Sequence, residues 1–451
     1  MQKIAVFWFR RDLRLEDNAG LYHALKNGRQ VLPVFIFDKN ILDELEDEAD
    51  ARVGFIHQTL WELREKLQTF GASLKVLHGS PPEIWKQLVE NYPIEAVYTN
   101  HDYEPYAVRR DVAVQQFLQQ RGISFHTFKD HVIFEKKEIC KPDGSPYVVF
   151  TPYSRKWKET LLGENFAENG GKSAEKQMSE NIPHYPSEDH FEAFLKTDPF
   201  EFPSLEQIGF KKSTIAIPPK TVAQGIIRNY DQTRDFPALN GTSKLGIHFR
   251  FGTISIREKA KKALLLNQTF LNELIWRDFY SMILSNFPRV VNEPFRKEYA
   301  NIVWLNNPRD FEKWCAGETG YPIVDAGMRE LNTTGYMHNR VRMITASFLT
   351  KHLLIDWRWG EAYFAQKLLD FDLASNNGGW QWAAGCGTDA APYFRIFNPD
   401  AQTAKFDKEL TYVKKWAPEY GTARYAKPVV EHKFARERCL EFYKKGLEMK
   451  V

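Results

Sequence analysis

Short runs of β-branched and aromatic residues recur through the first 130 residues of this sequence, with longer stretches between them. The intervening segments, such as 53–70 and 106–120, place apolar residues at i, i+3 and i+4, the spacing of an amphipathic helix. Strands that alternate with helices in this way are typical of a parallel sheet. We therefore predict a doubly wound, Rossmann-like α/β domain over residues 1–130, with strands at 4–9, 31–37, 74–78, 96–99 and 124–128.

The rest of the chain shows two different patterns. Periodicity fades between about 135 and 220, where Pro, Gly, Ser and charged residues accumulate, so we predict a long surface connector over 131–215. Helical spacing then continues almost to residue 451, and we predict an all-α C-terminal domain over 216–451. Its clearest helices are expected at 256–266, 270–284, 311–316, 324–332, 341–354 and 361–369.

Charge and cysteine content narrow the functional classes. The net charge is +3, but residues 1–130 carry 16 Lys and Arg against 19 Asp and Glu, and the later residues carry 45 against 39. A polyanion-binding C-terminal domain would have this asymmetry, although it also arises by chance.

The four cysteines include no CxxC pair, so we predict neither a metal site nor a disulfide framework. The apolar run at 4–9 is too short for a signal peptide or membrane span, which predicts a cytoplasmic protein.

The segment FLNELIWRDFY combines a carboxyl, an indole and a guanidinium at helical spacing. Glu273 and Trp276 lie three residues apart, and Glu273 and Arg277 lie four apart. On a helix these side chains share one face and could enter one cavity. A surface ion pair beside a core Trp explains the same pattern.

Two further segments carry polar residues at helical spacing or at a helix start. In GYMHNRVRM, Asn339 and Met343 share a helical face, and Arg340 is placed to reach a phosphate or stack on a base. A solvated basic face is the alternative there. In GTSKL, Thr242 or Ser243 could cap the next helix and leave its N–H groups for a phosphate, although a plain N-cap explains this as well.

Residues 370–402 are polar, Gly-rich and aromatic, unlike a core helix. Asp370 and Asp372 can accept hydrogen bonds from ribose or ring N–H groups, and Asn376 can present its amide to a ligand. If Trp380 and Trp382 lie on a helix, their i, i+2 spacing directs them to nearly opposite faces. We therefore expect the two indoles to have different roles.

At these motifs the chain closely resembles class I cyclobutane pyrimidine dimer photolyases of the photolyase/cryptochrome family. The similar segments are FWFRRDLRLEDN in the first domain and, in the second, GTS, NELIWR, TGYPIVDAGMRELNTTGYMHNRVRM, LLIDWR and NNGGWQWAAGCGTDAAPYFRIFNP. They are long and polar, and the resemblance covers nearly the whole chain. It implies that the helical domain binds FAD.

The resemblance also implies which residues hold the flavin. Asn376 would face its N5 atom. Position 246 is Gly where many relatives have Ser, so one hydroxyl toward the phosphates is missing. The implied cofactor-binding residues are Tyr230, Thr242, Ser243, Lys244, Leu245, Gly246, Arg277, Arg342, Asp370, Phe371, Asp372 and Asn376.

A second implied set contacts DNA or takes part in the reaction. The residues at lesion- or DNA-contacting positions are Arg234, Glu273, Trp276, Asn339, Arg340, Met343, Trp382, Arg395 and Gln402. Glu273, Asn339 and Asn376 are the implied catalytic residues, and Trp380, Trp357 and Trp304 match an electron-transfer triad that starts with Trp380. Burial beside Trp276 would favour the protonated form of Glu273, which can donate to a base carbonyl.

The implied activity is light-dependent repair of cyclobutane pyrimidine dimers, by electron transfer from photoexcited reduced FAD to a flipped-out dimer. The expected partner is damaged DNA, and the expected state is a monomer. The main alternative is a cryptochrome-type blue-light photoreceptor without repair, which the retained Trp276, Met343 and Asn376 disfavour. Repair of (6-4) photoproducts is disfavoured because only His338 occurs where a His pair is needed. A second antenna chromophore stays open, and Ala107 makes folate doubtful.

Overall fold

The computed structural model describes residues 2–162 and 180–449. Within it the chain divides into two compact units. The first, here named the α/β unit, comprises Met1–Glu135, Glu159–Thr221 and Leu245–Leu265. The second, the helical unit, comprises Lys136–Lys158, Val222–Lys244 and Leu266–Val451.

The α/β unit contains a five-stranded parallel sheet in the order β3-β2-β1-β4-β5. Its central strands β1 and β2 are buried along their whole length, as expected for a sheet covered on both faces. The strands are β1 Ile4–Phe9, β2 Val31–Asp38, β3 Lys75–Gly79, β4 Ile94–Asn100 and β5 Ser124–Phe128. The first five helices alternate with them: α1 Ala19–Leu25, α2 Lys39–Leu42, α3 Ala51–Gln68, α4 Pro81–Asn91 and α5 Pro105–Gln119.

Helices dominate the described chain after β5. They are α6 Phe150–Leu162, α7 Gln224–Arg228, α8 Tyr230–Thr233, α9 Gly246–Arg250, α10 Ile256–Leu266, α11 Gln268–Asn286, α12 Pro308–Ala316, α13 Pro322–Thr334, α14 Asn339–Ser347, α15 Trp357–Lys367, α16 Leu373–Ala384, α17 Pro399–Phe406, α18 Thr411–Trp416 and α19 His432–Glu448. A parallel sheet followed by helices confirms the predicted fold class.

The loop after β1 is held by buried ion pairs inside the α/β unit. Arg14 donates two hydrogen bonds to the carboxylate of Asp130, at 2.8 and 2.7 Å, and Arg257 donates to both Asp130 and Asp17. These guanidinium groups hold the pKa of Asp130 far below its usual range, even though burial opposes the shift. The polar FWFRRDLRLEDN segment therefore has a structural role in this unit.

Two sequence-based expectations differ from the structure. The helix predicted over 341–354 is interrupted, because α14 ends at Ser347 and a π-helical turn follows at Phe348–His352. The predicted connector 131–215 is not entirely a surface segment, since α6 lies in it and buries Tyr153 and Trp157. The Trp157 indole donates to Asp278 at 2.9 Å, so this helix is anchored to α11. The domain boundaries stay predictions.

Across the described ranges 2–162 and 180–449, none of the helices is both long and apolar enough to cross a bilayer. The same ranges contain no group of three or more His, Cys, Asp or Glu side chains arranged to hold a metal ion. Cys140, Cys315, Cys386 and Cys439 are all free thiols.

Candidate active site

A cavity of about 420 Å³ lies in the helical unit. Helices α11, α14 and α16 and the 368–372 connection provide most of its wall, and Phe364 of α15 together with Arg234 provides the rest. The predicted site residues that line it are Arg234, Glu273, Trp276, Arg277, Asn339, Arg342, Met343, Asp370, Phe371, Asp372, Asn376, Trp380 and Trp382. The sequence motifs, which lie up to 148 residues apart, thus meet at one place.

Helix α11 directs one face into the cavity. The Asn267 side chain caps it by accepting hydrogen bonds from the backbone N–H groups of Thr269 and Phe270, at 2.9 and 3.0 Å. The lining positions 273, 276, 277 and 280 follow the i, i+3, i+4, i+7 pattern of one helical face. The spacing argument for Glu273, Trp276 and Arg277 therefore holds in three dimensions.

Glu273 forms an ion pair with Arg234, which is 39 residues away in sequence. Burial raises the pKa of the Glu273 carboxyl above its ordinary value, and the Arg234 guanidinium opposes that shift. A carboxyl in this environment takes up a proton more readily than an exposed one. The sequence analysis left open a surface ion pair of Glu273 with Arg277. The ion pair with Arg234 accounts for the position of Glu273 without it.

Trp276 forms a flat aromatic wall. Its ring stacks on Phe150 with a centroid distance of 3.7 Å and an interplanar angle of 4°. Phe279 contacts it edge-on at 5.5 Å, and Tyr280 lies at 5.4 Å. A Cβ atom at Gly378 would lie 2.2 Å from the Tyr280 ring, so only glycine permits this packing. The indole plane is fixed before any ligand arrives.

Helix α14 presents Asn339, Arg342, Met343 and Ala346 to the cavity, again at i, i+3, i+4 and i+7. His338 is its N-cap, and its Nδ1 accepts from the Arg340 N–H at 3.2 Å. Burial lowers the pKa of His338 to about 4, which keeps the imidazole neutral near pH 7.

Arg340 is not among the residues that line the cavity. It pairs with Asp235 at 2.7 Å, and its guanidinium lies 4.5 Å from the ring centroid of Phe406.

The start of α16 gathers the polar groups of the cavity. Asp372 caps this helix by accepting from the Ser375 N–H at 3.1 Å. Arg342 donates to Asp370 Oδ2 at 3.0 Å, whereas the buried Asp370 Oδ1 has no hydrogen-bond partner in the described part of the chain. An unsatisfied buried acceptor is costly unless a ligand donates to it. Asn376 donates from Nδ2 to the backbone carbonyl of Glu361 at 3.0 Å.

Trp380 is buried and lines the cavity. Its ring contacts Phe364 at 4.9 Å and Trp314 at 6.0 Å, both edge-on. A Cβ atom at Gly360 would lie 2.1 Å from the indole, so the glycine makes room for it. The indole Nε1 is buried and has no partner among the described residues. Trp382 is half-buried and lines the same cavity, although its spacing predicted a different face.

The other two members of the predicted triad lie in the core of the same unit. Trp357 is buried at the first turn of α15. Trp304 is half-buried and contacts Tyr443 edge-on, with ring centroids 6.0 Å apart. Their electron-transfer role stays a prediction.

Several predicted cofactor and DNA residues lie outside the cavity lining. Thr242 shares a 3.1 Å hydrogen bond with the Tyr336 hydroxyl, and Lys244 lies over the Tyr336 ring at 5.0 Å. Thr242 and Ser243 do not cap the next helix, because Leu245 occupies the N-cap of α9. The remaining residues outside the lining are Tyr230 against Phe270, Ser243 in the helical unit, Leu245 and Gly246 in the α/β unit, exposed Arg395 and half-buried Gln402 on α17.

Sequence reasoning missed six lining residues: Tyr280, Ala346, Phe364, Leu368, Ser375 and Gly379. Tyr280 lies four residues after Trp276 and Ala346 three after Met343, so continuing each helical face would have found both. Phe150 was also missed. Its contact with Trp276 joins residues 126 apart, and no local pattern signals that pairing.

The protein thus combines a parallel α/β unit with a helical unit whose cavity is lined by carboxylates, guanidinium groups and indoles, which are groups that can bind an aromatic nucleotide. Residues 5–172 match the family model for DNA photolyase, and residues 270–423 match that for the FAD binding domain of DNA photolyase. The deoxyribodipyrimidine photo-lyase of Alkalihalophilus pseudofirmus is 35% identical and aligns over 97% of each chain. The chain therefore belongs to the photolyase/cryptochrome family, and its cofactor is FAD.

Solved structures agree with this assignment. The class III photolyase of Agrobacterium tumefaciens matches with a TM-score of 0.84 and 30% identity, over 100% of this chain and 98% of that one. A Synechocystis cryptochrome matches with a TM-score of 0.81 over 98% and 99% of the two chains, but at 24% identity this shows the fold alone.

The cavity residues fit the flavin. Asp370 Oδ1, which has no hydrogen-bond partner among residues 2–162 and 180–449, can accept from a ring or ribose donor, and the Arg342 side chain that pairs with Asp370 supplies positive charge beside it. Asn376, Arg277 and Asp372 border the same space. These are the residues that would hold FAD.

Proposed function

We propose that this protein repairs cyclobutane pyrimidine dimers in DNA, using light and reduced FAD. The observation that carries the proposal is the composition of one cavity. Its lining includes Trp276 and Glu273, which resemble lesion-contacting residues, and also Asp370 and Asn376, which resemble flavin-contacting residues. A cofactor and a dimer could therefore occupy adjacent parts of the same space.

Reduced FAD, when bound, supplies the electron that splits the dimer after excitation. The protein supplies the site for the two bases. Trp276 and Trp382 offer stacking surfaces for bases taken out of the duplex, which offset part of the cost of unstacking them. Bases bound inside this cavity would be shielded from bulk water.

Glu273 would bind the dimer through hydrogen bonds to the polar edge of the bases. The raised pKa of its carboxyl favours a protonated form that can donate to a base carbonyl. Arg234, already paired with Glu273, would place positive charge beside the oxygen on which negative charge develops. Arg340 and exposed Arg395 would contact backbone phosphates.

The test is an oligonucleotide that contains one thymine dimer, incubated with chemically reduced protein under blue light and in the dark. We expect loss of the dimer only in the light. Glu273→Gln keeps the side-chain shape but removes the acid, so repair per absorbed photon should fall more than binding does. If the wild-type protein binds FAD, responds to light and repairs no dimer, the photoreceptor alternative replaces this proposal.

A further inference from the structure

Four charged side chains of alternating sign form a chain of ion pairs that ends at the cavity of the helical unit. Arg340 donates to Asp235 Oδ1 from Nη2 at 2.7 Å and from Nε at 3.3 Å. The same Asp235 oxygen lies 3.9 Å from Nε of Arg234. Arg234 in turn donates to Glu273, and both of these residues line the cavity. We name Arg340, Asp235, Arg234 and Glu273 the ion-pair chain.

The outer end of the ion-pair chain is accessible to an anion. The Asp235 side chain is 38% exposed and that of Arg340 is 17% exposed, so a phosphate can compete with Asp235 for the Arg340 donors. The Arg340 guanidinium also lies 4.5 Å from the ring centroid of Phe406, which keeps it in place when Asp235 is released. Asp235 then has Arg234 as its remaining cationic neighbour in the chain.

Arg234 lies between two carboxylates, Asp235 and Glu273. Burial raises the pKa of the Glu273 carboxyl, the Arg234 guanidinium lowers it, and the negative charge of Asp235 raises it again. If Arg234 moves from 3.9 Å to hydrogen-bonding distance of Asp235, it stabilises the Glu273 carboxylate less. Glu273 then takes up a proton at a higher pH.

Other ionisable groups surround Glu273. Burial raises the pKa of Tyr230 on α8 and of Tyr280 on α11, so both phenols stay protonated near pH 7. Burial lowers the pKa of His338 to about 4 against the opposing charge of Asp235, so its imidazole stays neutral there. The remaining charged side chains of the cavity lining are Arg277 on α11, Arg342 on α14, and Asp370 and Asp372 before α16.

We propose that Asp235 is a positioning residue that couples phosphate binding at Arg340 to proton uptake by Glu273. When a DNA phosphate takes the Arg340 donors, Asp235 pairs with Arg234 and draws it away from Glu273. The Glu273 carboxylate accepts a proton from solvent and becomes the donor that a base carbonyl needs. The inference rests on the proposed function, through the contact of Arg340 with DNA. Contact with the DNA backbone thus prepares the cavity before a dimer enters it.

The first test counts the protons taken up when the full-length, FAD-loaded protein binds an undamaged duplex. Titration calorimetry in buffers of different ionisation enthalpy measures this number between about pH 5.5 and 8. We expect a fractional uptake that Glu273→Gln, Asp235→Asn and Arg340→Ala each abolish. Glu409→Gln is the matched control, because it removes an equal charge from an exposed position after α17 and should keep the wild-type uptake.

The second test compares affinities for damaged and undamaged duplexes across the same pH range, by fluorescence anisotropy. Asp235→Asn frees Arg340, so undamaged DNA should bind about two- to fivefold tighter, as expected for loss of a half-exposed ion pair. It also leaves Arg234 to Glu273 alone, so the preference for dimer-containing DNA should fade at a lower pH than in the wild type. Arg340→Ala leaves Arg234 to Asp235, so that preference should persist to a higher pH.

A residue that only stabilised the fold would shift both pH profiles to the same side, and that result overturns the inference. Wild-type proton uptake in Asp235→Asn or in Glu273→Gln overturns it as well. Because Asp235→Asn and Arg340→Ala each test the uptake, the result remains decisive if one of them does not fold. A wild-type protein that binds and repairs DNA without proton uptake contradicts this inference alone, whereas one that binds no DNA contradicts the proposed function.

Discussion

Replacing Phe150 by alanine tests whether the orientation of Trp276 matters for lesion recognition. The two rings stack at 3.7 Å with an interplanar angle of 4°, so the variant frees one face of the indole. The backbone of this segment should stay in place, because the Phe150 N–H donates to Asp389 at 3.2 Å and the Val148 carbonyl accepts from Thr388. The substitution therefore removes the ring and leaves its support.

An aromatic pair contributes about 0.5–1.5 kcal/mol beyond its buried area, which corresponds to about a 2- to 12-fold change in an equilibrium constant. We expect Phe150→Ala to weaken binding of dimer-containing DNA by that factor, since Trp276 can then leave the orientation needed for stacking. Undamaged DNA binds without a flipped base, so its affinity should not change.

Fluorescence anisotropy with matched damaged and undamaged duplexes measures both affinities. Phe150→Tyr keeps the aromatic face and is the control, with wild-type affinity expected for both duplexes. Equal losses for the two duplexes would show that Phe150 supports the fold of this region and not the lesion site. Unchanged affinity for both would show that Trp276 needs no partner ring.

Three further predictions follow from the helical unit. Trp380→Phe should nearly abolish photoreduction of oxidised FAD, measured as bleaching of the flavin band, and leave repair by chemically reduced protein intact; a wild-type photoreduction rate would refute the triad. Arg340→Ala should weaken the binding of damaged and undamaged DNA alike, and it should reduce the dependence of affinity on salt concentration by the contribution of about one phosphate contact. A loss of affinity limited to damaged DNA would instead show that Arg340 contacts the lesion. Burial raises the pKa of Glu361 to about 7. The folded state therefore holds a proton that the unfolded chain releases, so stability should fall as pH rises from about 4.5 to 7, and thermal unfolding of Glu361→Gln should lack that dependence if Glu361 causes it.

The sequence was sufficient to predict those features that depend on a single helix or strand. Five apolar runs separated by helical spacing defined the parallel α/β fold, and strands 4–9 and 124–128 have the predicted bounds. The faces of α11 and α14 were equally readable, because side chains three and four residues apart always share a helical face. Glu273 with Trp276, and Asn339 with Met343, line one cavity for this reason.

Sequence composition was insufficient to predict burial in segment 131–215, whose polar character indicated a surface connector. Segment 131–215 is rich in charged residues, yet α6 within it buries Tyr153 and Trp157. The Trp157 indole finds its acceptor on Asp278, 121 residues later, so its burial depends on a partner that local composition does not reveal.

Periodicity along the chain thus determined which helices and strands form and which side chains each one presents, since those depend on backbone geometry within a few residues. Only the tertiary structure decided the pairing of Glu273 with Arg234, the stacking of Phe150 on Trp276 and the burial of Asp370 Oδ1 without a hydrogen-bond partner in the described part of the chain. Each of these depends on how distant segments pack and exclude water, and packing of that kind leaves no repeating pattern in sequence.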